Sequence, residues 1–133
     1  LPWKDNLENS IEYRHYRTPE DWPRLQQDFM LDVIHAGHRM MGDAQVVIVN
    51  EPIYIASGPN SEIRYNKLYP RWAYDNYREF MSGWMSENQY LYVDMWQAIP
   101  QDEFSDFPVH LYPTGEQLLA KALSPEILSY SCE

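Results

Sequence analysis

A chain of 133 residues, 44% hydrophobic and 23% charged, has the size and make-up of one globular domain. Its formal charge of −10 excludes nucleic-acid binding through bulk electrostatics and disfavours docking to an anionic membrane surface. No apolar run approaches the roughly 20 residues that span a bilayer, and the single cysteine, Cys132, cannot form an internal disulfide.

No basic and apolar leader opens the chain, and Leu1 in place of an initiating methionine is expected of a processed or partial chain. The compartment stays open, an extracytoplasmic one included. Residues 1–17 are polar and aromatic without a period and read as an irregular lead-in. Thr18-Pro19-Glu20-Asp21 carries the marks of a helix start: an N-cap hydroxyl, proline at the first position, acids in the first turn. Trp22, Leu25, Phe29, Val33, Ala36 and Met40 then recur at steps of three and four. That spacing predicts one helix of about six turns with a single apolar face. Gly42 is its natural terminator.

The β-branched run at 45–50 predicts a strand buried on both faces, as in a parallel sheet. Residues 52–66, with Gly58-Pro59-Asn60-Ser61 in the middle, predict a long loop at the carboxyl end of that strand. A loop of that length there is more often functional than connective. Pro70 opens a second helix, with Ala73, Tyr77, Phe80, Met81 and Trp84 on one side. Residues 90–96 read as the second strand, and a polar loop at 97–113 leads to the last helix. There Thr114 and Gln117 have capping-box spacing, Leu118, Leu119, Ala122 and Leu123 supply the buried face, and Ser124-Pro125 ends the helix.

Helices alternating with strands imply an α/β fold with a parallel sheet covered on both faces. Two strands do not make a stable sheet. The chain therefore reads as one domain, incomplete as given, with its core at 18–123 and a tail at 124–133. It is expected to be the carboxyl-terminal part of a larger α/β domain. Open sheet edges predict self-association or pairing with the missing N-terminal part.

The stretch from Phe104 to Glu116 carries the candidate chemistry. It places Asp106 and His110 on a short loop just before a helix start. A carboxylate can orient an imidazole and stabilise its charged form, and the imidazole can then take a proton from a hydroxyl nucleophile. No serine in the sequence sits in a recognisable nucleophile turn. The other reading of the pair is a surface contact that caps the final helix.

Asp106 to His110, followed by Pro113-Thr114-Gly115-Glu116 and a Leu/Ala helix, resembles the last conserved block of the SGNH (GDSL-type) hydrolases. The strand ending in Asn50-Glu51-Pro52 is similar to the penultimate core strand of that family, and the strand ending in Val93-Asp94 to its last. The resemblance covers about residues 45–123. It implies a flavodoxin-like α/β/α sandwich, ester hydrolysis or acyl transfer, no cofactor and no metal. It also implies an acyl-ester substrate, a glycan ester among the options. His110 would be the general base and Asp106 its partner. The usual family spacing leaves two residues between acid and histidine, whereas Phe107, Pro108 and Val109 intervene here. The blocks that hold the serine, the oxyanion-hole glycine and the Gly-x-Asn-Asp turn are absent. At most half an active site is expected in this chain, and a non-catalytic binding or assembly module is the alternative.

Other residues have competing readings. Asn50 and Glu51 stand where a parallel strand opens into a ligand crevice, but side chains at a strand end more often tie down the following loop, and that reading comes first. Asp94 closes the second strand in the same two ways. His35 and His38, with Asp32 nearby, have a spacing that suits a metal, yet His35 falls off the apolar face and a solvated face is the expectation. Trp72, Tyr74, Tyr77 and Trp84 suggest sugar stacking, although a stripe at helical spacing is usually core.

Overall fold

Two four-residue strands, β1 (Val47–Asn50) and β2 (Leu91–Asp94), pair in parallel, with Val47 opposite Leu91 and Asn50 opposite Asp94. They belong to a computed structural model that describes residues 18–58 and 61–130. The lead-in at 1–17, Pro59-Asn60 and the end of the tail with Cys132 lie outside the described residues. The helices are α1 (Trp22–Leu25), α2 (Leu31–Met40), α3 (Arg71–Glu87) and α4 (Pro113–Tyr130). The fold is thus mixed helix and strand around a two-stranded parallel sheet, with α3 in the crossover between the strands.

Both strands are shorter than their sequence patterns predict. All four residues of β1 are half-buried instead of buried on both faces, because one partner strand leaves its other edge uncovered among the described residues. Pairing continues irregularly beyond the strand ends. The Met95 N–H donates to the Asn50 carbonyl at 2.9 Å, and the Ile53 N–H donates to the Trp96 carbonyl at 2.9 Å. The two loops leaving the carboxyl ends of the strands are thereby held side by side.

The long helix predicted from Thr18 to Gly42 is broken in two. A 3-10 turn (Pro19–Asp21), α1 and a second 3-10 turn (Gln26–Asp28) lead to Phe29, whose ψ of 126° is extended, before α2 begins. The break sends the Phe29 ring into an aromatic cluster, 5.9 Å from Trp22, 5.7 Å from Tyr77 and 5.4 Å from Phe80. The contacts to Trp22 and Tyr77 are edge-on and that to Phe80 is tilted, and aromatic pairs of this kind contribute about 0.5–1.5 kcal/mol each beyond area burial. They offset the helical hydrogen bonds lost at the break. Helical phase restarts after it, so Val33 and Met40 face solvent at 59% and 85% exposure. Gly42, at φ +59°, ends α2 in the left-handed region that glycine accepts freely.

The last helix differs from expectation at both ends. It starts at Pro113, and the Thr114 hydroxyl donates to the Glu103 carboxylate instead of capping the helix. It also runs through Pro125 to Tyr130. Proline removes the donor for the Lys121 carbonyl. Lys121 is exposed, so water can take that place, and the Ser124 hydroxyl donates to the Ala120 carbonyl at 2.6 Å. Leu118, expected inside, is 40% exposed, whereas Leu119, Ala122 and Leu123 are half-buried.

The core lies between α3 and the loop at 52–66. Ile53, Tyr65 and Tyr74 form its centre, and Met85 on α3 is buried. The loop is structural to a degree its sequence does not announce. Asn66 is fully buried, donating from Nδ2 to the Tyr54 carbonyl at 2.7 Å and accepting the Leu68 N–H at 2.9 Å. Such a satisfied buried amide fixes a loop more tightly than apolar contact alone.

A polar network closes the sheet on the α3 side. Asp94 accepts from Arg78 Nε at 2.8 Å and from Asn50 Nδ2 at 2.8 Å, and the Arg78 guanidinium lies 4.1 Å over the Trp96 ring. Replacing Asp94 with alanine should cost about 1–3 kcal/mol in a urea unfolding experiment, because it strands the Arg78 and Asn50 donors. A wild-type unfolding midpoint would show that solvent already carries those donors.

Candidate active site

The Asp106–His110 loop is built as a tight hairpin. Phe104 and Leu111 form an antiparallel bridge, the Ser105 N–H donates to the His110 carbonyl at 2.8 Å, and the Tyr112 N–H donates to the Glu103 carbonyl at 2.8 Å. A turn closes its tip, with the His110 N–H donating to the Phe107 carbonyl at 3.1 Å. Phe104 and Pro108 are buried beneath it, and the Pro108 carbonyl accepts the Tyr54 N–H at 2.7 Å. Gly115 lets the first turn of α4 approach closely: a Cβ there would stand 3.0 Å from Glu103 Cβ. The hairpin is therefore fixed from below by α4 and from one side by the long loop.

This turn brings the two chemical groups onto one side. His110 Nδ1 lies 3.1 Å from Asp106 Oδ1. A carboxylate only accepts, so this bond requires the proton on Nδ1, and in the neutral imidazole the lone pair is then on Nε2. Nε2 has no hydrogen-bond partner among the described residues. The pair is open to solvent, with the side chains of His110 and Asp106 59% and 80% exposed. The hydrogen bond from His110, followed by one from Ser105, holds the Asp106 carboxyl below the ordinary carboxylate range.

That depression has a sign. The folded protein binds the Asp106 proton more weakly than the unfolded chain does. The contribution to stability is therefore present above the unfolded pKa and lost as pH falls through the folded one. A carboxyl-carbon NMR titration should give Asp106 a midpoint below that of a free aspartate. The midpoint should rise when Ser105 is replaced by alanine. A Ser105→Ala midpoint equal to the wild type would show that the hydroxyl contributes nothing.

His110 and Asp106 line a cavity of about 470 Å³, together with Glu51 and Pro52 from the end of β1 and Glu116 and Leu119 from α4. The structure thus brings Glu51 to the same hollow as the Asp–His pair. It does not bring Asn50 there. The Asn50 Nδ2 group donates to Asp94 at 2.8 Å and to the Tyr74 hydroxyl at 3.1 Å, which ties the sheet to α3. Asp94 is held in the same network, away from His110.

Ser105 and Glu116 were not singled out by sequence reasoning. Ser105 acts as a clamp: its hydroxyl lies 3.1 Å from Asp106 Oδ1 and 3.1 Å from the His110 carbonyl. Only the hairpin makes that double contact, so no linear pattern announces it. Glu116 is one position past Gly115 in the first turn of α4, and the close approach at that glycine carries it to the cavity wall.

The histidines of α2 depart from the solvated-face expectation. His35 Nδ1 is 2.6 Å from the Tyr90 hydroxyl and its ring is 4.9 Å from Trp84, while His38 stacks on Tyr90 at 4.3 Å. They dock α2 onto the end of α3 and the start of β2. No group of three His, Cys, Asp or Glu among the described residues is arranged to hold a metal ion. Tyr74 is in the core, Tyr77 and Trp72 are half-buried, and Trp84 carries the His35 contact.

No protein-family model matches the chain, and no curated protein or solved structure matches it either. No helix among the described residues is long and apolar enough to cross a membrane.

Proposed function

We propose that this chain is the carboxyl-terminal part of an SGNH-type ester hydrolase or acyltransferase, with a flavodoxin-like α/β/α sandwich completed by chain outside this sequence or by a second copy. The observation that carries the reading is the 3.1 Å contact between Asp106 and His110 Nδ1. It leaves Nε2 for a hydroxyl in a cavity walled by the carboxyl end of β1. Ligands of parallel α/β folds bind at that end of the strands.

In this reaction a serine from the missing segments attacks an ester carbonyl and gives its proton to His110 Nε2. Asp106 stabilises the imidazolium that forms. The imidazolium then returns the proton to the departing alcohol oxygen, leaving an acyl-serine. Water or an acceptor hydroxyl takes the acyl group by the same steps in reverse, with His110 again as the base. Backbone donors of the missing segments would hold the oxyanion. The substrate is an acetyl or other acyl ester, a glycan ester included.

The exposure of the pair favours a second reading, a binding or assembly module that keeps the fold without the chemistry. Solvent weakens the attraction between the two groups, as it does for any open ion pair. The residues encoded before Leu1 separate the two: a strand followed by Gly-Asp-Ser supports the enzyme, and its absence supports the module. The direct test is turnover of a chromogenic ester by the full-length protein and by its His110→Ala form. Equal rates in the two would remove His110 from the mechanism.

A further inference from the structure

A second cavity, of about 520 Å³, lies beside the first and shares Glu51 and Val109 with it. Its walls come from three parts of the fold: Trp22 and Phe29 around the helix break, Leu68 and Tyr69 in the segment between the long loop and α3, and Ala73 and Tyr77 on α3. The volume lies within the range of about 300–1,000 Å³ typical of small-molecule sites. The walls are pre-formed. Trp22 and Phe29 meet edge-on at 5.9 Å, and Phe29 meets Tyr77 at 5.7 Å, so these rings support one another without a ligand.

The lining is chemically one-sided. Both Nδ2 hydrogens of Asn50 are already committed, to Asp94 and to Tyr74. Burial pushes the hydroxyls of Tyr69 and Tyr77 up from the ordinary tyrosine range, so both stay neutral. Among the described residues Glu51 is the sole charged one of the lining, and it stands on the boundary with the His110 cavity. A group seated deep in this cavity meets hydrocarbon and ring faces, and a charge there would be desolvated without a partner.

We infer that this cavity binds the apolar acyl chain of the ester, of medium length such as octanoyl, with the carbonyl at the Glu51–Val109 boundary beside His110. The inference rests on the hydrolase reading for the chemistry at His110, while the binding itself needs no turnover. A chain of this kind would fill an apolar space that an acetyl group leaves empty. The expected preference is therefore for longer acyl groups.

The test is titration of the full-length protein with octanamide, a neutral mimic of the acyl end, followed by tryptophan fluorescence and calorimetry. The expected result is saturable one-to-one binding, with butanamide about 10²-fold weaker for its four fewer methylenes. Ala73→Phe, which puts a ring into the cavity, should weaken octanamide at least tenfold. Leu118→Ala, on the exposed side of α4, should leave it unchanged. Should Ala73→Phe fail to fold by circular dichroism, Leu68→Trp, also in the cavity lining, replaces it. Equal affinity for the two amides, no saturable binding, or full binding in the cavity-filling variant would each overturn the inference. An inactive protein that still binds octanamide upholds the cavity and discards only the esterase reading. An active protein that does not bind it discards only the cavity.

Discussion

Replacing His110 with alanine in the full-length protein is expected to lower turnover of a chromogenic acetyl ester by roughly 10³-fold or more. In the proposed reaction His110 is the base: among the described residues lining the cavity it alone carries an imidazole, and Asp106 fixes its tautomer. Without it, the attacking hydroxyl keeps its proton and the leaving alcohol departs as an alkoxide. Asp106→Asn should cost less, on the order of 10–10²-fold, because a carboxylate 80% exposed orients the ring through solvent-screened electrostatics. The ordering of the two variants is as informative as the size. A larger loss for Asp106→Asn than for His110→Ala would mean that the carboxylate, not the imidazole, handles the proton.

Phe104→Ala is expected to destabilise the protein by about 3–5 kcal/mol, read as a shift in the urea midpoint at constant m-value. Phe104 is 1% exposed, its ring meets Tyr54 edge-on at 5.7 Å, and its backbone pairs with Leu111 at the base of the hairpin. Removing the ring opens a cavity under the loop that holds Asp106 and His110. The same variant should therefore move the Asp106 carboxyl midpoint up towards that of a free aspartate, since its hydrogen bonds depend on the hairpin. A destabilised protein with an unchanged Asp106 midpoint would show that the pair keeps its geometry without the aromatic footing.

Parts of this molecule are legible in the sequence because local chemistry decides them. The β-branched run before Asn50 can only be a strand, and Pro70 sets the start of α3. The spacing of Asp106 and His110 becomes a contact through a turn closed within the same five residues. The misses have physical causes. The three- and four-residue steps from Trp22 to Met40 continue across Phe29, so the pattern cannot show that tertiary ring packing breaks the helix there. His35 reads as polar and exposed, yet a 2.6 Å bond to Tyr90 and a face against Trp84 make it an inward residue. Pro125 signals an end, but an exposed helix surface tolerates the missing donor. The loop at 52–66 has no period because its buried groups, from Ile53 to Asn66, are placed by backbone and amide bonds instead of by a repeating face. The cavity at His110 was half readable: the strand end points to Glu51, while Ser105 and Glu116 converge only in three dimensions.

The placement of the core beside α3 has a consequence for assembly order. Ile53, Tyr65 and Tyr74 are near neighbours along the chain, whereas Val47 and Leu91 must be gathered from much farther apart. Short closures cost less entropy than long ones. On closure entropy alone, the cluster around Tyr65 and Tyr74 is expected to gather before β1 and β2 find their register.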